Sequence, residues 1–154
     1  MLDYVVRPIG VVRASRSAAI DDDWDDVDSA IELDAVVVGS DAPLGLDEFS
    51  HVEVIYLFHL VEPEAVCTGA RHPRGRTDWP LTGILAQRAK DRPNRLGVTV
   101  CRLLGVDGMT IRVRGLDAID GTPVLDVKPY MSGFAPRGHV TEPAWAEELM
   151  ADYW

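Results

Sequence analysis

Val98–Gly115 has the sequence VTVCRLLGVDGMTIRVRG, in which two apolar runs flank Asp107-Gly108. In the second run, Met109, Ile111 and Val113 alternate with polar residues. An Asp-Gly pair between alternating runs is a strong short-range signal of a β-hairpin. This stretch therefore predicts two antiparallel strands joined by a tight turn.

Other stretches of the chain have the same β character. Ser29–Val37 alternates with period two and places Ile31, Leu33, Ala35 and Val37 on one face, as in a half-buried strand. The remaining candidate strands are Tyr4–Ala14, Val52–Leu60 and Pro123–Val127, with a short apolar run at Leu81–Gln87. Six or seven strands with no regular strand–helix–strand alternation predict an all-β fold, a small and largely antiparallel barrel.

The end of the chain has a different periodicity. Trp145, Leu149, Met150 and Tyr153 recur at helical spacing after Pro143, which predicts a short amphipathic C-terminal helix. We expect a single domain over residues 1–154, with the barrel at about 4–131 and the tail and helix at about 132–154.

Composition excludes several classes of protein. The 154 residues are 47% hydrophobic, and no apolar stretch approaches the ~20 residues of a membrane span. The N-terminus has no secretory signal pattern, and two cysteines are too few for a disulfide framework, so we expect a cytoplasmic protein. No dinucleotide-binding glycine motif, P-loop or serine nucleophile elbow occurs, and the histidines and cysteines lack metal-ligand spacing, so no metal is expected.

Charge is unevenly distributed along the chain. The net charge is −10, yet residues 71–95 carry seven basic and two acidic residues, so the rest carries −15. A basic segment on an acidic body predicts a local anion site, with pairing to nearby carboxylates as the alternative. The candidate substrate-binding residues are Arg71, Arg74, Arg76, Arg92 and Asn94, together with Lys128.

Other polar residues follow apolar runs or lie in turns. Arg88 is suited to bind a carboxylate or to form a salt bridge. Asp117 and Asp120 are suited to accept hydrogen bonds from a ligand or to cap a turn. Asp126 and Tyr130 are candidate catalytic bases, with an ordinary ion pair to Lys128 and a buried phenol as the alternative.

Four ordered motifs resemble one known family. They are Pro8–Arg13, Gly45–His51, Arg88–Gly97 with its Arg-Pro-Asn turn, and Leu116–Tyr130 with Asp120-Gly121-Thr122-Pro123. At these residues the chain resembles the TsaA-like, or TrmO, methyltransferases in a short single-domain form. These use S-adenosylmethionine to methylate N6 of threonylcarbamoyladenosine in tRNA.

The resemblance implies a small β-barrel that works as a homodimer and binds S-adenosylmethionine. It also implies which residues contact the cofactor. These are His59, Leu60, Arg88, Val98 and the turn residues Leu116, Asp117, Ala118, Ile119 and Asp120.

Two other functions stay open from the sequence. One is an S-adenosylmethionine-dependent methyltransferase of a small molecule or protein, which the acidic body favours. The other is a non-catalytic module that binds the cofactor and a partner through its tryptophan-containing tail.

Overall fold

The barrel predicted from the sequence is present. A computed structural model describes residues 2–154, so Met1, the first residue of the predicted domain, lies outside the described residues. The strands are β1 (Gly10–Ala14), β2 (Asp28–Leu33), β3 (His51–Leu57), β4 (Ala70–Arg71), β5 (Thr82–Gly83), β6 (Leu96–Asp107), β7 (Thr110–Arg114) and β8 (Pro123–Pro129). Helix α1 spans Ala144–Met150, and 3-10 turns lie at Leu46–Glu48, Pro63–Ala65, Pro73–Gly75, Ile84–Ala86, Pro93–Arg95 and Ser132–Phe134.

Six strands close into a barrel in the order β1-β2-β7-β6-β3-β8, while β4 and β5 form a separate two-stranded sheet. The pairs β1–β2, β1–β8, β2–β7, β3–β8 and β6–β7 are antiparallel. The β6–β7 hairpin turns at Asp107-Gly108, where Gly108 has a φ of 56°. The all-β class, the antiparallel barrel and the short C-terminal helix are thus confirmed.

Inward-facing side chains fill the barrel. The strands alternate as their sequences predict, so that Val52, Val54 and Tyr56 of β3 are buried while the residues between them are partly exposed. The other fully buried side chains of the barrel strands are Val12, Ile31, Ile111, Val113 and Val124.

Three predicted strands are shorter than their patterns indicate, and one of them, Val52–Leu60, ends at Leu57. The Tyr4–Ala14 stretch is a strand only over Gly10–Ala14. Strand β2 ends at Leu33 rather than Val37, because Asp34 begins a turn. Its Oδ1 accepts the Val36 amide at 2.8 Å, and its carbonyl accepts the Val37 amide at 2.9 Å, so local hydrogen bonds replace the sheet ladder.

The chain divides into two compact units. The first, the barrel unit, comprises the chain up to Tyr56 together with Val98–Trp154, and the second comprises Leu57–Gly97, which contains β4 and β5. Among residues 2–154, no helix is both long and apolar enough to cross a membrane.

Candidate functional site

The turn Leu116–Asp120 joins β7 to β8 in the barrel unit. Leu116 is fully buried and Ala118 is 3% exposed, so these apolar side chains anchor the turn to the core. Within residues 2–154, the amides of Leu116, Asp117, Ala118 and Ile119 donate no hydrogen bond. Leu116 and Ala118 are buried, and backbone donors of buried residues are nearly always satisfied, so these unpaired amides fit a bound ligand with acceptor atoms.

The Asp117 carboxylate is held by three hydroxyl groups. Its Oδ1 accepts the Tyr56 hydroxyl at 2.7 Å and the Thr99 hydroxyl, and its Oδ2 accepts the Tyr153 hydroxyl. We call Tyr56, Thr99, Asp117 and Tyr153 the Asp117 cluster. Tyr56 and Thr99 are almost completely buried, so two of the donors come from the barrel interior.

The far end of the same turn is tied to β1. Oδ1 of Asp120 accepts the Ala14 amide at 3.1 Å, and the Asp120 amide donates to the Arg16 carbonyl at 2.8 Å. The Gly121 amide donates to the Val12 carbonyl at 2.8 Å. The turn is therefore fixed at both ends, while its middle amides are unpaired among the described residues.

Burial changes the acidity of two groups near Asp117. Burial raises the pKa of the Tyr56 phenol well above its usual range, and the nearby Asp117 carboxylate adds to the rise. Burial also raises the pKa of the Cys101 thiol to about 12, again with a smaller contribution from Asp117. Both groups therefore stay protonated at neutral pH, and Tyr56 acts as a hydrogen-bond donor rather than as a base.

In the second unit, part of the basic segment forms an internal network. Arg71 makes a two-pronged ion pair with Asp91. The buried Gln87 side chain donates to the carbonyls of Arg71 at 3.0 Å and Thr82 at 2.7 Å, and Arg92 donates to the Gln87 carbonyl at 2.8 Å. These contacts give Arg71 and Arg92 roles in holding the loops of this unit together.

The other candidate residues of the second unit are more exposed. Arg76 pairs with Asp78, and its guanidinium lies 3.9 Å from the centre of the Trp79 ring. Arg74 and Asn94 have positive φ values of 50° and 64°. The remaining candidates are His59, which is half-buried, and Leu60 and Arg88, which are exposed.

Asp126 and Lys128 form an ion pair on β8. They pair in register with Ile55 and Glu53, whereas Val127 pairs with the inward-facing Val54, so Asp126 and Lys128 face outward. The Asp126 hydrogen bond and charge raise the pKa of Lys128. Within residues 2–154, no hydrogen bond joins Asp126 or Lys128 to the Leu116–Asp120 turn.

The last two candidate residues lie at strand ends. Tyr130 follows β8, and its amide donates to the His51 carbonyl at 3.0 Å. Val98 lies near the start of β6 with 37% of its surface exposed.

Sequence reasoning missed Tyr56, Thr99, Gln87 and Tyr153 as site residues. The inward alternation of β3 identifies Tyr56 as a core residue, but nothing local shows that its hydroxyl meets Asp117. Among residues 2–154, no group of three or more histidine, cysteine, aspartate or glutamate side chains could hold a metal ion.

Two proteins of known description are similar to this chain in sequence. A Methanothermobacter thermautotrophicus protein described as a probable S-adenosyl-L-methionine-binding protein is 38% identical over 131 residues, covering 84% of this chain and 91% of that protein. The human tRNA (adenine(37)-N6)-methyltransferase is 38% identical over 100 residues, which is 65% of this chain and 22% of that enzyme.

Solved structures agree with the sequence relatives. The crystal structure of TrmO from Pseudomonas aeruginosa matches with a TM-score of 0.73 and 29% identity, over 91% of this chain and 61% of that one. The chain thus spans about a fifth of the human relative and about three fifths of this TrmO chain. Residues 20–135 match the family model described as the tRNA-methyltransferase O N-terminal domain. The chain therefore belongs to the TrmO family, as its four ordered motifs predict.

Proposed function

We propose that this protein is an S-adenosylmethionine-dependent methyltransferase that acts on N6 of threonylcarbamoyladenosine in tRNA. The observation that carries the proposal is the Leu116–Asp120 turn, whose middle amides are unpaired within residues 2–154. S-adenosylmethionine offers a carboxylate, ribose oxygens and adenine nitrogens as acceptors for such amides. A relative covered almost end to end is described as binding this cofactor.

The cofactor supplies a methyl group on a sulfonium sulfur. The protein's own part is to bind the cofactor and the acceptor, to orient them and to exclude water, because methyl transfer depends mainly on placing the nucleophile in line. The amides of Ala118 and Ile119 would donate to the bound cofactor, and the buried Leu116 side chain would help to exclude water from the turn.

Methylation of N6 releases a proton. We propose that the Asp126 carboxylate, which the Lys128 ion pair holds in place on β8, accepts this proton, with Tyr130 as the second candidate. Asp126→Asn is expected to lower kcat by about 100-fold or more while leaving the Kd for the cofactor unchanged. An unchanged kcat would remove Asp126 from the mechanism.

Two measurements test the proposed function. Calorimetry with S-adenosylmethionine is expected to show binding without added metal. Nucleoside analysis of tRNA from a deletion strain is expected to show unmethylated threonylcarbamoyladenosine, restored by the gene. Cofactor binding and turnover with unaffected tRNA would favour a small-molecule or protein acceptor, and binding without turnover would favour a non-catalytic module.

Each candidate cofactor contact outside the turn predicts weaker cofactor binding when its side chain is removed. Arg88→Ala is expected to weaken cofactor binding by about tenfold or more, because a charge-assisted hydrogen bond is lost. His59, Leu60 and Val98 stay predicted contacts, each open to the same measurement.

We also propose a homodimer. Strand β6 carries exposed apolar side chains on its outer face, with Val98 at 37%, Val100 at 42% and Leu104 at 39% exposed. These apolar residues, with Arg102 between Val100 and Leu104 on the same face, form a surface of the kind found at protein interfaces. A homodimer would bury this row.

Two broader expectations stay proposals. Residues 1–154 are expected to unfold as one domain, in a single cooperative transition seen by both fluorescence and circular dichroism. A cytoplasmic location suits the free thiols of Cys67 and Cys101 and is tested by cell fractionation.

A further inference from the structure

The C-terminal tail lies against two loops of the barrel unit. The Asp23 amide donates to the Asp152 carbonyl at 3.0 Å, and the Trp24 amide donates to the Tyr153 carbonyl at 2.9 Å. The Tyr153 hydroxyl donates to Oδ2 of Asp117. Tyr153 is therefore joined through its backbone to one loop and through its side chain to the Leu116–Asp120 turn.

The loop that receives the tail is itself well fixed. The Arg16 guanidinium donates to the carbonyls of Ile20 at 3.0 Å, Asp22 at 2.7 Å and Asp23 at 2.9 Å, and it lies 3.7 Å from the centre of the Trp24 ring. The Trp24 side chain is 4% exposed. The tail thus docks on a rigid support rather than on a loose loop.

Arg16 also contacts the far end of the Leu116–Asp120 turn, because its carbonyl accepts the Asp120 amide at 2.8 Å. Tyr153 adds a second contact between the tail-binding loop and the turn, through its hydrogen bond to Asp117. Of the three hydroxyl groups on the Asp117 carboxylate, two are supplied by barrel strands and fill Oδ1, whereas Tyr153 is the donor to Oδ2. A carboxylate held at both oxygens has little freedom to rotate, so Tyr153 completes its orientation.

We propose that Tyr153 is a positioning residue for the cofactor. By holding Oδ2 of Asp117 it fixes the backbone of the turn, so that the amides of Ala118 and Ile119 are presented to the ligand without further ordering. This inference rests on the proposed function of the turn. It gives the tail a role in binding, although Ala144–Met150 and the residues after it lie outside the family match at 20–135.

The test compares Tyr153→Phe with Tyr4→Phe, which removes the same hydroxyl from a side chain that is 86% exposed. Tyr153→Phe is expected to weaken S-adenosylmethionine binding by about tenfold in calorimetry, the equivalent of one hydrogen bond. In methylation assays the KM for the cofactor is expected to rise with kcat unchanged at saturation. Tyr4→Phe is expected to match the wild type.

A second measurement follows the turn itself. Hydrogen exchange of the amides at residues 117–119, without cofactor, is expected to be faster in Tyr153→Phe. A lower unfolding midpoint with an unchanged Kd would make Tyr153 merely structural, and tighter binding would show that it competes with the cofactor; either result overturns the inference. If the wild type itself binds no S-adenosylmethionine, the proposed function fails first and the inference with it.

Discussion

At the scale of single residues, Asp117 organises the candidate site. The sequence identifies it, because it lies in a turn-rich motif between two strands. The sequence does not identify its donors, because Tyr56, Thr99 and Tyr153 are 61, 18 and 36 residues away in the chain. The closed barrel brings Tyr56 and Thr99 to Asp117 and the C-terminal tail brings Tyr153, and no local pattern encodes contacts at those separations.

The Tyr56 hydroxyl is expected to contribute to stability as well as to the site. Tyr56→Phe removes a buried donor to a carboxylate, so the free energy of unfolding should fall by about 1.5–3 kcal/mol, measured by urea denaturation. Tyr4→Phe, at an exposed position, should change it by less than about 0.5 kcal/mol. Equal losses in the two variants would contradict the assigned hydrogen bond.

The buried Cys101 thiol predicts a dependence of stability on alkaline pH. Burial raises the pKa of this thiol from its ordinary 9.0 to about 12 in the folded protein. Folding therefore favours the protonated thiol, and this contribution is present below about pH 9 and lost as the pH rises towards about 12. The free energy of unfolding of the wild type should fall more steeply over this range than that of Cys101→Val. If the free energy of unfolding falls equally with pH in the two proteins, the Cys101 thiol is not the source of the pH dependence.

At the scale of elements, the hairpin was predictable and some strand ends were not. Asp107-Gly108 determines the β6–β7 turn locally, because glycine readily adopts the positive φ of this turn. The alternation of β2 continues past Leu33, yet the Asp34 side chain binds the Val36 amide and ends the strand. Apolar periodicity does not show the competition between a side-chain hydrogen bond and the sheet ladder.

Gly10 marks a close approach of two strands. A Cβ at this position would lie 2.5 Å from the Glu32 carbonyl oxygen, so Gly10→Ala must separate β1 from β2. We expect a loss of about 1–3 kcal/mol in the free energy of unfolding. Gly133→Ala is the matched control, since its Cβ would meet no atom within 4 Å. A Gly10→Ala variant as stable as this control would show that the strands can part at no cost.

At the scale of the whole molecule, the proposed homodimer depends on the outer face of β6. Val100→Glu places a charge in that apolar row, and burying an unpaired charge would be costly, so the variant should be monomeric at micromolar concentration. Light scattering measures the mass directly. Val36→Glu, at a position that is 93% exposed, should leave the dimer intact. A dimer that survives Val100→Glu would place the interface elsewhere.

The uneven charge of the chain gives the prediction on RNA. Within the 71–95 segment, Arg71 is ion-paired with Asp91 and Arg76 with Asp78. Ion pairing with nearby carboxylates therefore neutralises part of the positive charge of the segment. Arg92 and Arg95 donate to backbone carbonyls, which leaves their charge available to phosphates.

We expect RNA to dock through this segment because the remaining −15 repels phosphate elsewhere. Arg74 and Lys90 are exposed residues of this segment, and Arg74→Glu with Lys90→Glu should weaken tRNA binding strongly and reduce its salt dependence by about two counterions, while the Kd for the cofactor stays unchanged. Arg7→Glu with Arg137→Glu reverses two exposed charges outside this segment and is the matched control. If that second pair abolishes binding and the first does not, RNA docks on the barrel unit, and the charged segment serves only to hold its own unit together.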